Sequence, residues 1–185
     1  MGELLRDKVA IITGGAGGIG SRIARANSQE GARVVVASRK GENLDVVVDK
    51  IVAYGGEALT IATDVTNSED VEALVQATEE SFGAADIMVN NAGGAMFMKP
   101  PEKLKPEEWD ATIALNRSSV FFCSQAVSHG MIEEKGGKIV NISSAAGIRM
   151  SPAFIQYGAA KAGVINLTKS LASCWGPYNI NVNCI

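Results

Sequence analysis

The sequence predicts an α/β fold, a single domain (residues 1–185) built on a doubly wound parallel sheet that ends at its sixth strand. Two observations lead to this prediction. Short apolar runs alternate with helical patterns along the chain, which is typical of a parallel sheet covered by helices on both faces. A glycine-rich turn, residues 13–20, lies between the first apolar run and the first helix. This turn favours the Rossmann form of the fold, in which ligands bind at the carboxyl ends of the strands.

The predicted elements alternate throughout, with no internal linker or repeat between them. The predicted strands cover residues 9–13, 33–37, 58–62, 86–90, 138–143 and 180–185. The predicted helices cover residues 18–30, 43–54, 66–82, 106–132 and 154–176. A chain of 185 residues in this arrangement is long enough to bury one core.

Local signals justify the first elements in order. The second predicted strand is apolar throughout, as strands covered on both faces are. In the first helix, Ile19, Ile23 and Ala26 share one face, and Gly31 ends the helix. The second helix ends at Gly55-Gly56, before the third strand.

Later elements carry capping and proline signals. Thr66 and Glu69 have the spacing of a capping box at the start of the third helix. Pro106 suits the first turn of the long fourth helix, in which a break is expected. Gly176-Pro177 closes the last helix before the sixth strand.

Composition excludes several classes of partner. The net charge is −3, so no basic face for nucleic acid is predicted. No apolar run has the length of a membrane span. The three cysteines, Cys123, Cys174 and Cys184, lack metal-ligand spacing and predict no metal site. We interpret them as reduced core thiols of a cytoplasmic protein.

The glycine turn has the features of a phosphate-binding loop. It contains Gly15-x-Gly17-x-x-Gly20 and the wider spacing Gly14-x-x-x-Gly18-x-Gly20. Glycines let the backbone approach a ligand closely, and the free N–H groups at the helix start attract its phosphates. The alternative is a flexible turn that happens to be rich in glycine, which the strand–helix context disfavours.

The end of the second strand predicts which dinucleotide binds. A carboxylate there would bond the ribose 2′-OH of NAD, but the sequence reads Ser38-Arg39-Lys40. A guanidinium and a hydroxyl suit a 2′-phosphate. NADP(H) is therefore predicted, with NAD(H) as second choice because Glu42 offsets the positive charge. The alternative is that Arg39 and Lys40 are solvated turn residues.

Tyr157 and Lys161 lie four residues apart on one predicted helix and therefore share a face. A free tyrosine is a poor acid–base group at neutral pH, but a neighbouring ammonium favours the phenolate. Tyr157 could then donate a proton to a carbonyl oxygen while hydride reaches the carbon, or run the reverse reaction.

Together these motifs resemble the short-chain dehydrogenase/reductase family over nearly the whole chain. The matching segments, in chain order, are Thr13–Gly20, Asp64-Val65, Asn90-Asn91-Ala92-Gly93, Ser144, and Tyr157 with Lys161. The resemblance implies an oxidoreductase that transfers a hydride between NADP(H) and a small alcohol or carbonyl substrate. A dinucleotide-binding module, or a truncated product without activity, is the alternative.

The resemblance also implies a role for each site residue. Tyr157 would be the acid–base group, and Lys161 would support it and hold the nicotinamide ribose. Ser144 would bond the substrate oxygen, with the adjacent Ser143 pointing elsewhere. Asn116 would anchor a water-linked proton relay to the lysine, although it could be an ordinary helix residue. The residues expected to contact the cofactor are Gly14, Gly17, Gly18, Ile19, Gly20, Ser38, Arg39, Asp64, Val65, Asn91, Ala92, Gly93, Tyr157 and Lys161.

Members of the family continue past the sixth strand, with a Pro-Gly turn, a mobile segment over the substrate and a seventh strand. Because this sequence stops at Ile185, we expect it to be a C-terminally incomplete member. The resemblance implies a homo-oligomer, a dimer or tetramer, for the full-length protein.

Overall fold

A computed structural model describes residues 3–39 and 42–185, with the side chains of residues 42–44 left aside. It contains one sheet of six parallel strands. The strands are β1 Val9–Thr13, β2 Arg33–Ser38, β3 Ala58–Ala62, β4 Ile87–Asn90, β5 Gly137–Asn141 and β6 Ile180–Cys184. The α-helices are α1 Gly18–Gln29, α2 Glu42–Ala53, α3 Ser68–Phe82, α4 Pro106–Ile113, α5 Ser119–Glu133 and α6 Ile155–Trp175.

The strand order across the sheet is β3-β2-β1-β4-β5-β6. The chain moves outward from β1 to β3 and then returns to place β4 on the other side of β1. The order therefore reverses between β1 and β4, and a crevice opens at the carboxyl ends of these two strands. The predicted doubly wound parallel sheet is confirmed.

The core consists of two layers, one on each face of the sheet. Because side chains alternate along a strand, neighbouring residues of β1 enter different layers. Ile11 packs in the layer that contains Leu74 of α3 and Val127 of α5. Ile12 packs in the layer that contains Ala24 of α1 and Ile51 of α2.

The predicted buried face of α1 is wrong in part. Its buried residues are Gly20, Ala24 and Ser28, whereas Ile19 is 62% exposed and Ala26 is exposed. The reason is close approach: a Cβ on Gly20 would lie 2.4 Å from a backbone oxygen of the glycine turn. Small residues therefore face the sheet where the helix leaves the turn.

The predicted cap of α3 is also wrong. The N-cap is Asn67, whose side-chain oxygen accepts a hydrogen bond of 2.9 Å from the N–H of Glu69. The hydroxyl of Thr66 instead donates to the Asp64 carboxylate at 2.7 Å. Since that carboxylate engages Thr66, the helix begins two residues later, at Ser68.

The long helix predicted at 106–132 divides into α4 and α5, as its expected break suggested. The two helices are joined by a π turn, Ala114–Ser118, which places Asn116 in the interior. Pro106 occupies the first turn of α4, in agreement with its predicted position.

The three cysteines occupy different environments. Cys123 is buried, and burial raises the pKa of its thiol to about 12. Cys174 is exposed and Cys184 is half-buried, so the prediction of three core thiols is wrong for Cys174. Over residues 3–39 and 42–185, no helix is both long and apolar enough to cross a membrane.

Thr13, the last residue of β1, ties the glycine turn to the end of β4. Its side chain is buried, and its hydroxyl accepts hydrogen bonds of 3.1 Å from the N–H groups of Asn91 and Ala92. The Asn91 amide returns two bonds, to the carbonyl oxygens of Thr13 at 2.9 Å and Gly14 at 3.1 Å. We call these four bonds the Thr13–Asn91 brace.

We predict that Thr13→Val lowers the free energy of unfolding by about 2 kcal/mol, because the N–H of Ala92 loses its acceptor and the N–H of Asn91 keeps only the carbonyl oxygen of Val89. Urea unfolding measures this loss. Thr78→Val is the matched control: Thr78 is equally buried, but its hydroxyl only donates to Leu74 of the same helix. Equal losses in the two variants would contradict a special role for the brace.

Candidate active site

The glycine turn lies at the carboxyl end of β1, beside the loop that follows β4. A Cβ on Gly14 would lie 2.9 Å from the Cα of Ala92. Gly18 has a φ of +54°, a left-handed conformation that costs other residues strain. Gly17 and Gly18 face open space. The turn is thus packed against the β4 loop on one side and accessible to a ligand on the other.

The N-terminus of α1 faces outward from this turn. Its N-cap, Gly17, has no side chain to accept from the first N–H groups, and the first turn contains no acidic residue. Ile19, in that turn, is exposed. Uncapped N–H groups at a helix start carry a partial positive charge and bind phosphate oxygens. Gly17, Gly18, Ile19 and Gly20 therefore form a site that can take a pyrophosphate.

The loop after β4 brings two of the predicted catalytic side chains together. A Cβ on Gly93 would lie 2.7 Å from Oδ1 of Asn116 and 3.4 Å from Nζ of Lys161. No side chain fits at this position without displacing one of them. Gly93 therefore lies where α6 and the π turn meet the carboxyl end of β4.

Asn116 is fully buried, and its side-chain amide is hydrogen-bonded to backbone groups of the protein. Its Nδ2 donates to the carbonyl oxygens of Thr112 and Gly94, each at 3.0 Å. Its Oδ1 accepts from the N–H of Gly94 at 2.8 Å. The side chain thus holds the start of the loop after Gly93, and its predicted part in a proton relay stays a prediction.

Tyr157 and Lys161 share a face of α6, with Nζ of Lys161 5.6 Å from the centroid of the Tyr157 ring. Lys161 is 3% exposed, and its ammonium donates to the carbonyl oxygen of Ile142 at 2.7 Å. Burial lowers the pKa of the ammonium to about 8, and nearby Cys184 opposes that shift. An ammonium has three donors, so Lys161 keeps donors for a ligand.

The two serines after β5 point in different directions. Ser143 is buried and donates to the carbonyl oxygen of Lys161 at 3.1 Å, away from the cleft as expected. Ser144 is only half-buried, and its Oγ accepts from the N–H of Ala146 at 3.2 Å. The turn that follows packs on α6, since a Cβ on Gly147 would lie 2.8 Å from the backbone of Lys161. Ser144 is therefore held beside the helix that carries Tyr157.

Asp64 and Val65 lie at the carboxyl end of β3. The Asp64 carboxylate accepts from the hydroxyl and the N–H of Thr66, at 2.7 and 3.0 Å. These two bonds, in that order, hold its pKa below the usual range; the Arg39 charge adds to the effect and burial opposes it. The side chain of Val65 is buried in the core, so only its backbone is available to a ligand.

Ser38 and Arg39 lie at the carboxyl end of β2. Ser38 is half-buried and Arg39 is exposed. The charge of Arg39 is felt at Asp64, so the two side chains flank the same end of the crevice. Lys40 and the side chain of Glu42, which also entered the cofactor prediction, lie outside the described residues.

Sequence reasoning missed two residues that hold this site together. Thr13 forms the Thr13–Asn91 brace, although the sequence shows it only as the first residue of the glycine motif. Gln156, directly before Tyr157, is fully buried and bonds the loop after Gly93. Its only signal in the sequence is a polar residue at a position that helical packing requires to be internal.

Residues 8–185 match the family model described as short chain dehydrogenase. The chain belongs to this family. The resemblance inferred from the motifs is confirmed, and the family is one of oxidoreductases.

Relatives and a solved structure extend the comparison of this short-chain dehydrogenase. The 3-oxoacyl-(acyl-carrier-protein) reductase of Synechocystis is 38% identical over 185 residues, which cover 98% of this chain and 73% of the relative. The NAD-dependent glycerol dehydrogenase of Listeria innocua is 38% identical over 181 residues, which cover 98% of this chain and 70% of the relative. A metagenomic short-chain oxidoreductase crystallised with NADP is 38% identical, with a TM-score of 0.94 over 97% of this chain and 81% of that chain.

We predict that Lys161 makes stability depend on pH. Its ammonium has a pKa of about 8 in the folded chain and 10.5 ordinarily, so between these values the unfolded chain binds more protons. Stability therefore rises with pH through this window. Lys161→Met removes that rise, and the gap between variant and native protein changes by about 2 kcal/mol from pH 8 to about pH 10. Urea unfolding at several pH values measures the gap; a constant gap would contradict the prediction.

Proposed function

We propose that this short-chain dehydrogenase is an NADP(H)-dependent oxidoreductase that interconverts an alcohol and a carbonyl group of a small molecule. The observation that carries the proposal is the buried cation of Lys161, 5.6 Å from the Tyr157 ring and adjacent to Gly93 at the switch point of the sheet. A buried ammonium is costly unless its donors are hydrogen-bonded, and among the described residues Lys161 donates only to the carbonyl oxygen of Ile142. We assign its remaining donors to the cofactor and its charge to the proton transfer at Tyr157.

The crevice has suitable groups for a dinucleotide at two positions, the start of α1 and Gly93. The uncapped start of α1 and the open space at Gly17 and Gly18 suit the pyrophosphate. At Gly93, no side chain separates the crevice from Lys161, so the ribose hydroxyls can reach its remaining donors. When bound, the nicotinamide supplies or accepts the hydride.

Side chains of the protein transfer the proton and bind the substrate oxygen. In the direction of reduction, the Tyr157 hydroxyl donates its proton to the carbonyl oxygen; in oxidation, the phenolate takes the proton of the alcohol. The ammonium of Lys161, 5.6 Å from the Tyr157 ring, supplies a positive charge beside this proton transfer. Ser144 donates a hydrogen bond to the same oxygen and stabilises the charge that develops there.

Arg39 supports NADP(H) over NAD(H). Its exposed guanidinium follows β2, where a carboxylate would otherwise bond the ribose. A guanidinium forms paired, charge-assisted bonds with a phosphate. One solved relative is crystallised with NADP and one curated relative is named NAD-dependent, so both cofactors occur among similar proteins.

We predict that Tyr157→Phe lowers kcat by about a hundredfold or more, because the proton donor is lost while the ring remains. The assay follows NADPH oxidation with a panel of 3-oxoacyl thioesters, sugars, steroids and small aldehydes. The dissociation constant for NADPH stays unchanged. Tyr178→Phe is the control, since Tyr178 lies exposed in the turn before β6. Retained turnover in Tyr157→Phe would refute the assignment; cofactor binding without turnover in the native chain would favour a binding module.

We predict that Arg39→Ala weakens NADPH binding about tenfold to a hundredfold and leaves NADH binding unchanged, because only NADPH carries the 2′-phosphate. Thermal shifts at matched cofactor concentrations measure both affinities. The control is Arg6→Ala, because Arg6 lies just before β1, at the amino end of the strands and away from the crevice, and pairs with Glu3. Equal effects on the two cofactors would place Arg39 outside the phosphate site.

A further inference from the structure

The loop 94–100, between Gly93 and the single-turn 3₁₀ helix Pro101–Lys103, has no regular structure. Among the described residues, no backbone–backbone hydrogen bond involves residues 95–99. Side chains therefore determine the path of this loop. Asn116 holds its first residue, Gly94, and Lys99 near its end pairs with Glu108 of α4.

Gln156 provides the bonds in the middle of the loop. Its Nε2 donates to the carbonyl oxygens of Met96 at 2.6 Å and Phe97 at 3.0 Å. Two carbonyl oxygens accept and cannot donate, so the amide must present its NH₂ group to them. The orientation of the Gln156 side chain is thus determined by the loop it binds.

The oxygen of the Gln156 amide destabilises the fold, because it is buried without a hydrogen-bond donor in the described part of the chain. Gln156 is fully buried, and its Oε1 has no hydrogen-bond partner among the described residues. An apolar side chain of the same size would avoid that penalty. The two donated bonds to the loop are the compensation, so the amide serves the loop and not the stability of the core.

The conformation that Gln156 holds is a strained one. Phe97 has a φ of +56°, a left-handed conformation that is unfavourable for a residue with a bulky side chain. Such a conformation persists only where the surrounding structure enforces it. Without the two bonds from Gln156, the segment around Phe97 is free to relax.

Tyr157 lies between two segments that its chain neighbours hold. Gln156 bonds the loop 94–100 on one side. On the other, a Cβ on Gly158 would lie 3.3 Å from Ser151, so the segment 146–151 packs directly on the helix. The loop that Gln156 binds carries two exposed apolar side chains, Phe97 and Met98. Gln156 thus connects an apolar segment to the residue that directly follows it, Tyr157.

We propose that Gln156 is a positioning residue that fixes the loop 94–100 relative to Tyr157 and thereby favours carbonyl substrates with an apolar group beside the reacting carbon. This inference rests on the proposed function, because it takes Tyr157 as the group that meets the substrate oxygen. Gln156 itself contacts neither substrate nor cofactor; it acts through Met96 and Phe97.

The test compares acetophenone, which has an apolar group, with dihydroxyacetone, which has none. In Gln156→Leu, kcat/KM for acetophenone falls about tenfold, mainly through KM, because Phe97 and Met98 are no longer held in one position. The value for dihydroxyacetone and the dissociation constant for NADPH change little. Gln76→Leu is the matched control, since Gln76 is exposed on α3 and bonds only Glu80.

Gln156→Glu tests the role of the donated hydrogen bonds through the pH dependence of activity, which a purely structural role would leave unchanged. A carboxylate offers no donor to the two carbonyl oxygens, but a protonated carboxyl offers one, and burial favours the protonated form. Activity of this variant toward acetophenone therefore recovers as pH falls, relative to the native protein. Gln156→Leu shows no such recovery. Equal losses for both substrates and NADPH, or a loss without pH rescue, would overturn the proposal.

Limited proteolysis separates the failure of this inference from the failure of the proposed function. Chymotrypsin cleaves after Phe97, which is 37% exposed but held in the loop. Cleavage there accelerates about tenfold in Gln156→Leu and not in Gln76→Leu, because cleavage requires the loop to open. Unchanged cleavage refutes the positioning role even if the enzyme is active. Inactivity of the native chain with accelerated cleavage in the variant refutes the proposed function alone.

Discussion

The Thr13–Asn91 brace is the interaction on which the site depends. β1 and β4 are neighbours only because the strand order reverses between them, and the brace joins the two loops that leave these strands. It uses one hydroxyl and one amide to satisfy backbone groups that no strand can pair. The glycine turn and Gly93 thus keep a constant separation, and they are the two points where opposite ends of a dinucleotide would bind. The Thr13 side chain is buried, so water has little access to its hydroxyl.

Below the crevice, a second set of polar contacts holds the sheet to its helices. The Asn90 amide donates to Ser124 of α5 at 3.0 Å and to Asn141 of β5 at 2.8 Å. Asn141 in turn donates to Thr168 of α6 at 2.9 Å. Buried amides that bond in series give one preferred arrangement, because any slip leaves several groups unpaired. The helix that carries Tyr157 and Lys161 is therefore positioned from the interior of the sheet as well as from the loops.

The alternation of apolar runs and helical patterns was sufficient to predict the fold, and the strand bounds agree within two residues. The wrong predictions share a cause, because a local sequence pattern contains no information on contacts between distant segments. Ile19 has helical spacing, but at the start of α1 the glycine turn approaches so closely that only a glycine, Gly20, fits against it. Thr66 has the spacing of a cap, but Asp64 competes for its hydroxyl. In the sequence, Gln156 shows only as a polar residue at an internal helix position, and its role is hidden because its partners lie about sixty residues away.

The π turn Ala114–Ser118 has a consequence for the periodicity of the chain. A π turn contains about one residue more than an α turn, and one residue shifts the angular phase of everything after it by about 100°. Thr112 of α4 and Val120 of α5 are both buried and lie eight residues apart, which in a regular α-helix places them about 80° out of phase. With the extra residue of the π turn, the two side chains fall within about 20° of the same side. The π turn therefore aligns the buried sides of two helices that an uninterrupted α-helix would leave out of phase.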